Sequence, residues 1–572
     1  EKLLEKADQM KKSSSMKWLL NVIGKQKFNI IFLTVIQTVL GISSVIFAFI
    51  LRNIVDSAAS RNKLNFFLFF LLLVLLILVQ ILLRAIVRWF EEKFRSSIEN
   101  ALKYRLFEKI LRKDYASVTA VHSGEWLNRL TSDTVVCANG IVEILPNIVG
   151  MLVKMFGALI MILTLEPRFA IVLFPGGIVM IYLTYAFRKV LKRLHKTVQE
   201  KDGKLRIFLQ EHLENMLIVR SFSAENQTES EAQEKMNAHQ SARMKKNHFS
   251  NLCNIGFSVA MNGMYLLGLG YGGFGILNGT LSYGTLMAMM QLISQIQSPF
   301  ANITGYLPKF YAMTASAERL MNVENFEDES SDILEKSEID KLYHNELVEI
   351  AFQNADFTYK KSDDIFVLNN FNLQIKKGEF IALTGHSGCG KSTIFKLLMC
   401  LYKLDSGEIL LLKNNAETET LASCHRKLFA YVPQGNQLMS GTVREIITFG
   451  DKSKMKNEIA IERALKISCA DEFVHKLDGG IDTILGERGA GLSEGQMQRI
   501  AVARAIFSDN PILLLDESTS ALDEQTEKKL LENLRSMTDK TVLIVTHRPA
   551  ALKICDKIIT ITENGIETEV KK

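Results

Sequence analysis

The chain has 572 residues, 48% of them hydrophobic, and a formal net charge of +6. That length exceeds what one hydrophobic core organises, so several domains are expected. The modest, unclustered positive charge excludes a nucleic-acid binder, and seven scattered cysteines without a C-x-x-C pair exclude a disulfide framework or a zinc site.

Residues 1–27 are polar and basic apart from Trp18-Leu-Leu and Val22-Ile, which suit a short interfacial helix. Long apolar runs follow, and they predict six membrane spans at about 28–51, 66–87, 144–165, 169–187, 249–277 and 283–308. Asn278-Gly-Thr-Leu-Ser282 supplies the turn between the last two. Loops after spans one, three and five are short. Those after spans two and four are long and dense in Lys and Arg, including Arg88, Lys93, Arg95, Lys103, Arg105, Lys109, Arg112 and Lys113. Basic residues beside span ends predict cytoplasmic loops and termini. The long loops keep a helical apolar period (Leu102, Leu106, Ile110; Leu205, Phe208, Leu209, Leu213), so they read as spans continuing beyond the membrane. Lys154 is the one cation deep within a span, and such charges commonly border a wet, functional cavity.

Residues 1–322 thus form an expected transmembrane domain, and acidic residues 323–346 an expected solvated linker. Residues 347–572 alternate short apolar strands with helices, as in an α/β nucleotide-binding domain. Within it, Gly385-His-Ser-Gly-Cys-Gly-Lys-Ser-Thr393 follows the apolar run Phe380-Ile-Ala-Leu and precedes a helical pattern, which is the setting a phosphate loop needs. Gly385, Ser387, Gly388, Cys389 and Gly390 let successive N–H groups converge on an anion, and the following helix start adds its dipole. Lys391 then reaches the β- and γ-phosphates, Ser392 supplies a Mg²⁺ ligand, and Thr393 completes the cradle. Pro511-Ile-Leu-Leu-Leu-Asp516-Glu517 reads as a buried parallel strand ending in two carboxylates, Asp516 for Mg²⁺ and Glu517 for the attacking water. Thr541-Val-Leu-Ile-Val-Thr-His547 delivers His547 to the same edge.

Gly491-Leu-Ser-Glu-Gly-Gln496 resembles the signature motif of ATP-binding cassette (ABC) transporters. The resemblance implies that Ser493, Gly495 and Gln496 close on ATP held by the phosphate loop of an opposite cassette. It extends to Gln434 in Tyr431-Val-Pro-Gln as a Mg²⁺-sensing residue, to Asp523 in Ser520-Ala-Leu-Asp as a dimer-contact residue, and to Tyr359 as the adenine-stacking aromatic, although Lys360 stands where proline is usual. Gly486-Glu-Arg-Gly489 resembles a loop that touches the partner's helices. Asp114-Tyr115 through Glu125 and Glu211 through Phe222 resemble the two coupling regions of half-size exporters, and Pro299 matches a family proline. Glu494 departs from the usual glycine.

The resemblance implies an integral membrane ATPase of a bacterial plasma membrane that exports a peptide, lipid or amphipathic small molecule. Its cofactors would be ATP and Mg²⁺, and its partner a second copy or a related half-transporter. An ATP-gated channel or regulator is the alternative, though a pure gate needs neither Glu517 nor His547. Spans five and six place Asn262, Gln291, Gln295, Gln297 and Asn302 among Met287, Met289, Met290 and Tyr306. That mixture suits a promiscuous site or ordinary helix packing.

Overall fold

The apolar runs become helices far longer than a bilayer is thick. A computed structural model describes residues 14–329, 333–359, 366–435, 438–486, 489, 491–562 and 565–570, and of 170–181, 183–185, 188–189, 192, 300–304, 307 and 565–566 the backbone alone. Helix α1 spans Lys27–Ala59, α2 Lys63–Arg112, α3 Tyr115–Thr119 and α4 Thr134–Leu165. Then come α5 (Pro167–Glu214), α6 (Met216–Ser221), α7 (Glu225–Leu277) and α8 (Tyr283–Met321). The 50 residues of α2 reach about 75 Å at ~1.5 Å per residue, so helix persists well past a hydrocarbon core of ~30 Å. By length and composition, Ser14–Ala59, Lys63–Arg112, Ser123–Leu165 and Glu225–Leu277 can each cross a membrane. The expected spans at 169–187 and 283–308 fall within α5 and α8, and part of their side chains lies outside the described residues.

The chain divides into two compact units, Glu1–Lys109 with Ser123–Asn325, and Ile110–His122 with Phe326–Lys572. In the first, glycines bring α1 and α4 together. A Cβ on Gly41 would stand 2.8 Å from Gly150 O, and one on Gly157 3.0 Å from Val45 Cγ2, the close backbone approach that small residues permit in membranes. Polar side chains inside these helices find partners: Gln37 donates to Asn147 (3.2 Å), Gln80 to Ser43 (3.1 Å) and Gln295 to Ser44 O (2.7 Å). Near the base, Arg319 grips the buried Asp133 carboxylate through Nε (2.8 Å) and Nη2 (2.5 Å), and Ser316 adds a third donor (2.8 Å). At the other end Asp56 accepts from Gly284 N (2.8 Å) and Ser282 Oγ (2.9 Å), capping the start of α8.

The second unit holds two large sheets and a short antiparallel pair, Gly441–Thr442 with Ile484–Leu485. Strands β1 (Leu347–Phe357), β2 (Leu368–Lys376), β4 (Ser406–Lys413) and β5 (Thr418–Thr420) pair antiparallel in the order β2-β1-β4-β5, with β3 (Phe380–Gly385) lying between them in sequence. The other sheet joins β3 to β6 (Phe429–Val432), β7 (Ile512–Asp516), β8 (Thr541–Val545), β9 (Lys557–Thr562) and β10 (Gly565–Val570) in the order β10-β9-β3-β8-β7-β6. Every pairing in it is parallel except that of β9 with β10. All residues of β7 and β8 are buried, as the unbroken apolar runs require of a sheet covered on both faces.

One expectation fails. The stretch read as a solvated linker carries a helix at Lys336–Lys341, and Ile339, Leu342 and Tyr343 sit in the core of the second unit. Acidic residues dominate its composition, but three apolar side chains on one side suffice to dock it. The Tyr343 hydroxyl meets Thr541 Oγ1 at 2.8 Å, and Thr541 Oγ1 also accepts from Gly378 N at 2.8 Å. Tyr343→Phe removes one of these buried bonds, a loss of about 1 kcal/mol. The melting midpoint of the second unit, followed by calorimetry on the full chain, should fall by about 2–4 °C; an unchanged midpoint would mean the bond is neutral.

Candidate functional site

Parallel pairing decides where the chemistry collects. β3, β6, β7 and β8 run the same way, with Val545 opposite both Leu383 and Asp516. The residues that follow each strand therefore emerge at one edge. From β3 the chain turns at Gly385, whose φ is +139°, and a Cβ there would lie 2.5 Å from Ile561 O. Only glycine fits that turn. The loop leads into α9 (Lys391–Leu398), and Gly388 and Gly390 also take positive φ.

Lys391 is buried inside its own loop. Its Nζ donates to Gly385 O (2.8 Å) and His386 O (2.9 Å), with Cys389 Sγ at 3.8 Å. The ammonium is thus held where an anion in the loop would meet it. Tyr359 donates or accepts at Thr393 Oγ1 (3.0 Å), and its ring packs edge-on against Phe357 and Tyr402 while 47% of the residue stays exposed. An aromatic face is therefore presented beside the loop.

Asp516 ends β7 at 1% exposure. Burial pushes its carboxyl above the usual range, while the Ser392 and Tyr431 hydroxyls pull it back. Tyr431 donates to Oδ2 at 3.2 Å, and burial together with the Asp516 charge keeps the phenol protonated as a donor. Oδ1 is buried with no hydrogen-bond partner. Among the described residues no cluster of three His, Cys, Asp or Glu could cage a metal alone. An unsatisfied carboxylate oxygen beside a serine hydroxyl fits Mg²⁺, which takes few protein ligands and completes its shell with phosphate and water.

Glu517 follows with φ +49°, a left-handed backbone rarely adopted by a side-chain-bearing residue, held by its N–H to Val545 O (3.1 Å). Strain of this kind gathers at functional sites. Its carboxylate accepts from Gln434 Nε2 at 2.6 Å, so the residue expected at the metal is paired with the residue expected at the water. His547 is exposed just past β8.

The signature motif opens α10 (Glu494–Phe507). Ser493 Oγ accepts from Gln496 N (3.3 Å), and Gln496 Oε1 accepts from Ser493 N (2.9 Å), a reciprocal cap. The Gln496 side chain is thereby engaged within its own motif. Glu494 sits exposed in the first helical turn, where a carboxylate complements the helix dipole. A Cβ on Gly495 would lie 2.8 Å from Ala521 O, so this glycine also lets the Ser520–Asp523 loop pack down. Asp523 caps α11 (Glu524–Arg535) by accepting from Thr526 N (2.9 Å), and these N–H bonds hold its carboxyl below the usual range.

Lys391, Ser392, Asp516, Glu517 and Gln434 are thus brought together, with His547 at the same strand edge. Ser493, Gly495 and Gln496 are not: among the described residues no hydrogen bond or ion pair joins them to the phosphate loop. Glu487, Arg488 and Lys360 lie outside the described residues. Sequence reading missed Gln498 and Arg548. Gln498 donates to Ser520 Oγ (3.0 Å) and accepts from Ala521 N (3.1 Å). Arg548 donates to Leu522 O (2.7 Å) and Glu527 (3.1 Å), and also to Ser520 O. Their signal was weak, a polar residue on an apolar helix face and a cation beside His547.

Residues 114–122 of the first expected coupling region lie in the second unit, and 123–125 in the first. Asp114 caps α3 by accepting from Ser117 N (3.0 Å), Asp114 N donates to Glu327 O (3.0 Å), and Tyr115 meets the Tyr402 ring edge-on at 5.8 Å. The second region, residues 211–222 with α6 within it, leaves Leu217 82% and Phe222 79% exposed.

Residues 28–300 match the model of the ABC transporter transmembrane region, and residues 368–520 that of the ABC transporter. The chain is 30% identical to an ATP-dependent lipid A-core flippase of Mannheimia succiniciproducens, over 81% of this chain and 78% of that protein. It is 27% identical to a multidrug resistance ABC transporter ATP-binding and permease protein of Lactococcus lactis, over 83% and 79%. A solved bacterial Atm1-family ABC exporter with ATP bound superposes with a TM-score of 0.79 at 21% identity, covering 96% of this chain and 95% of that one.

Two outcomes are expected. Glu517→Gln keeps the size of the side chain but removes its basic carboxylate, so ATP binding should persist while turnover falls at least ~100-fold; near-normal phosphate release would exclude Glu517 as the base. Gly495→Ala forces the Ala521 carbonyl away and should reduce ATPase about tenfold or more, with nucleotide affinity, read by a fluorescent ATP analogue, within about twofold.

Proposed function

The chain belongs to the ABC transporter family, and we propose that two copies of it form one exporter in which ATP joins the cassettes head to tail. As a family member it is an integral membrane protein whose ATPase is coupled to transport. The observation that carries the dimer is the separation of the phosphate loop from the signature helix within a single cassette. Each is half of an anion clamp, and a second copy supplies the other half. The exposed apolar tip at Leu217 and Phe222 supports the same reading, since it needs cover.

In the closed pair, the loop amides and Lys391 bind the β- and γ-phosphates, and the second copy's Ser493 and Gly495 N–H approach the γ-phosphate from the far side. Ser392 and Asp516 would hold Mg²⁺, which when bound neutralises phosphate charge. Glu517, oriented by Gln434, positions a water and accepts its proton as the oxygen attacks the γ-phosphorus and ADP leaves. His547 contacts the γ-phosphate, and Tyr359 stacks on adenine. Closure passes through the coupling regions to six spans that alternate between inward- and outward-facing states. Basic residues in the long loops favour cassettes in the cytoplasm of a bacterial cell.

The substrate class we infer is amphipathic: a peptide, a lipid or a small molecule. Names of relatives, a lipid A-core flippase and a multidrug transporter, agree with that breadth. Intact Glu517 and Gln434, joined at 2.6 Å, favour turnover over an ATP-gated channel. Uptake of labelled substrates from the three classes into inside-out vesicles is the direct test, and conductance opened by ATP without uphill accumulation would favour the channel. Purified alone, the chain should behave as a dimer and hydrolyse ATP, and Ser493→Ala should lower the rate at least ~100-fold, since each site loses its far-side clamp. An inactive monomer that gains ATPase only with a related half-transporter would replace the homodimer by a heterodimer.

A further inference from the structure

Past the ends of β7 and β8 the backbone ladder stops, and one side chain takes over. The last bond between the two strands runs from Glu517 N to Val545 O (3.1 Å). Beyond it, among the described residues, no backbone hydrogen bond joins residues 518–523 to residues 546–549. The first segment follows directly on Glu517 and the second carries His547, so their spacing fixes how those two side chains stand relative to each other. Arg548 spans the gap. Its Nη1 donates to Leu522 O (2.7 Å) and Glu527 Oε2 (3.1 Å), and its Nη2 donates to Ser520 O. Two carbonyls and a carboxylate thus converge on one planar fork, an acceptor set that suits a guanidinium and not an ammonium.

Both ends of this brace are anchored. On its own side, Pro549 opens a short helix, Pro549–Ile554, and Arg548 is held in extended backbone at φ −84° and ψ 130°, as a residue before proline prefers. Arg548 N also donates to Thr546 Oγ1 (3.1 Å), closing a turn around His547. Thr546 is buried, with its N–H on Leu383 O (3.3 Å). The exposed His547 imidazole has no hydrogen-bond partner among the described residues, so its position follows from the backbone on either side. On the far side, Glu527 in the first turn of α11 is 2% exposed, and its Oε1 is buried without a donor. Among the described residues, Arg548 is the cation paired with that carboxylate. Gln498 of α10 grips the same loop at Ser520 Oγ (3.0 Å) and Ala521 N (3.1 Å), which leaves the Ser520 and Leu522 carbonyls to Arg548.

We propose that Arg548 is a positioning residue for hydrolysis: it braces the segment carrying His547 against the loop that follows Glu517, so that both side chains face one γ-phosphate. This inference rests on the roles proposed for Glu517 and His547. Neither the guanidinium nor Glu527 touches nucleotide in that reading. A misplacement of about 1 Å at a reacting group costs on the order of 100-fold in rate. Without the fork, no hydrogen bond among the described residues spans the two segments.

The test is steady-state phosphate release by the full-length chain in detergent over a range of ATP concentrations. Arg548→Ala by itself strands a buried carboxylate and endangers the fold, so it is made together with Glu527→Gln. Glu527→Gln alone keeps both carbonyl bonds and should hold kcat within about threefold. Adding Arg548→Ala should lower kcat about tenfold or more, with ATP affinity, read by a fluorescent analogue, within about twofold. Arg548→Lys in place of Ala should recover about threefold or more, because its ammonium reaches part of the same acceptor set. In a chain that also carries His547→Ala, with residual turnover followed by labelled ATP, Arg548→Ala should cost under about threefold, since the group it positions is gone. A merely structural loss would lower the rate by the same factor with and without His547, and that result overturns the proposal. So does a Glu527→Gln/Arg548→Ala chain whose kcat matches that of Glu527→Gln. If His547→Ala itself turns over normally, the role of His547 falls and the brace with it. If His547→Ala is impaired and only the Arg548 effect is absent, the brace falls and the catalytic reading stands.

Discussion

A triphosphate carries more negative charge than one loop can surround, and that constraint shapes the second unit. The phosphate loop offers amide donors and one ammonium from a single side. Asp516, buried with an oxygen that lacks a donor, leaves a place that a cation would complete. On the proposed reading the opposite side of the anion stays open within one cassette, and the capped, exposed start of α10 would serve as the second clamp for a partner's nucleotide. The dimer we propose would then rest on electrostatics rather than on surface stickiness.

The same economy of donors runs through the elements around the site. Gln498 and Arg548 hold the Ser520–Asp523 loop by its backbone, and that loop packs on Gly495. A change at the signature glycine is therefore felt at the loop that would face a second cassette, through a 2.8 Å approach. Glu494 needs no functional explanation beside this network, because a first-turn carboxylate is favourable there.

In the first unit the governing rule is that hydrocarbon offers no hydrogen bonds. Glutamines and asparagines within the helices pair across glycine-mediated contacts, and Asp133 is matched by Arg319 and Ser316.

Much of this was legible in the sequence. Runs without charge longer than a bilayer, the glycine-lysine-serine loop between an apolar run and a helical period, and an apolar run ending in Asp516-Glu517 are local patterns, each imposed by one physical requirement that neighbours in sequence satisfy. What stayed hidden depends on residues distant in sequence. Composition marked Tyr343 as part of a polar linker, yet its ring is buried and its hydroxyl meets Thr541, almost two hundred positions away. Gln434 pairs with Glu517 and Gly495 makes room for Ala521 because strand order and helix packing set those distances. Chain order alone specifies which groups can bind an anion. Tertiary structure decides which of them are already satisfied, and the ones left over are where we propose that a nucleotide and a second copy bind.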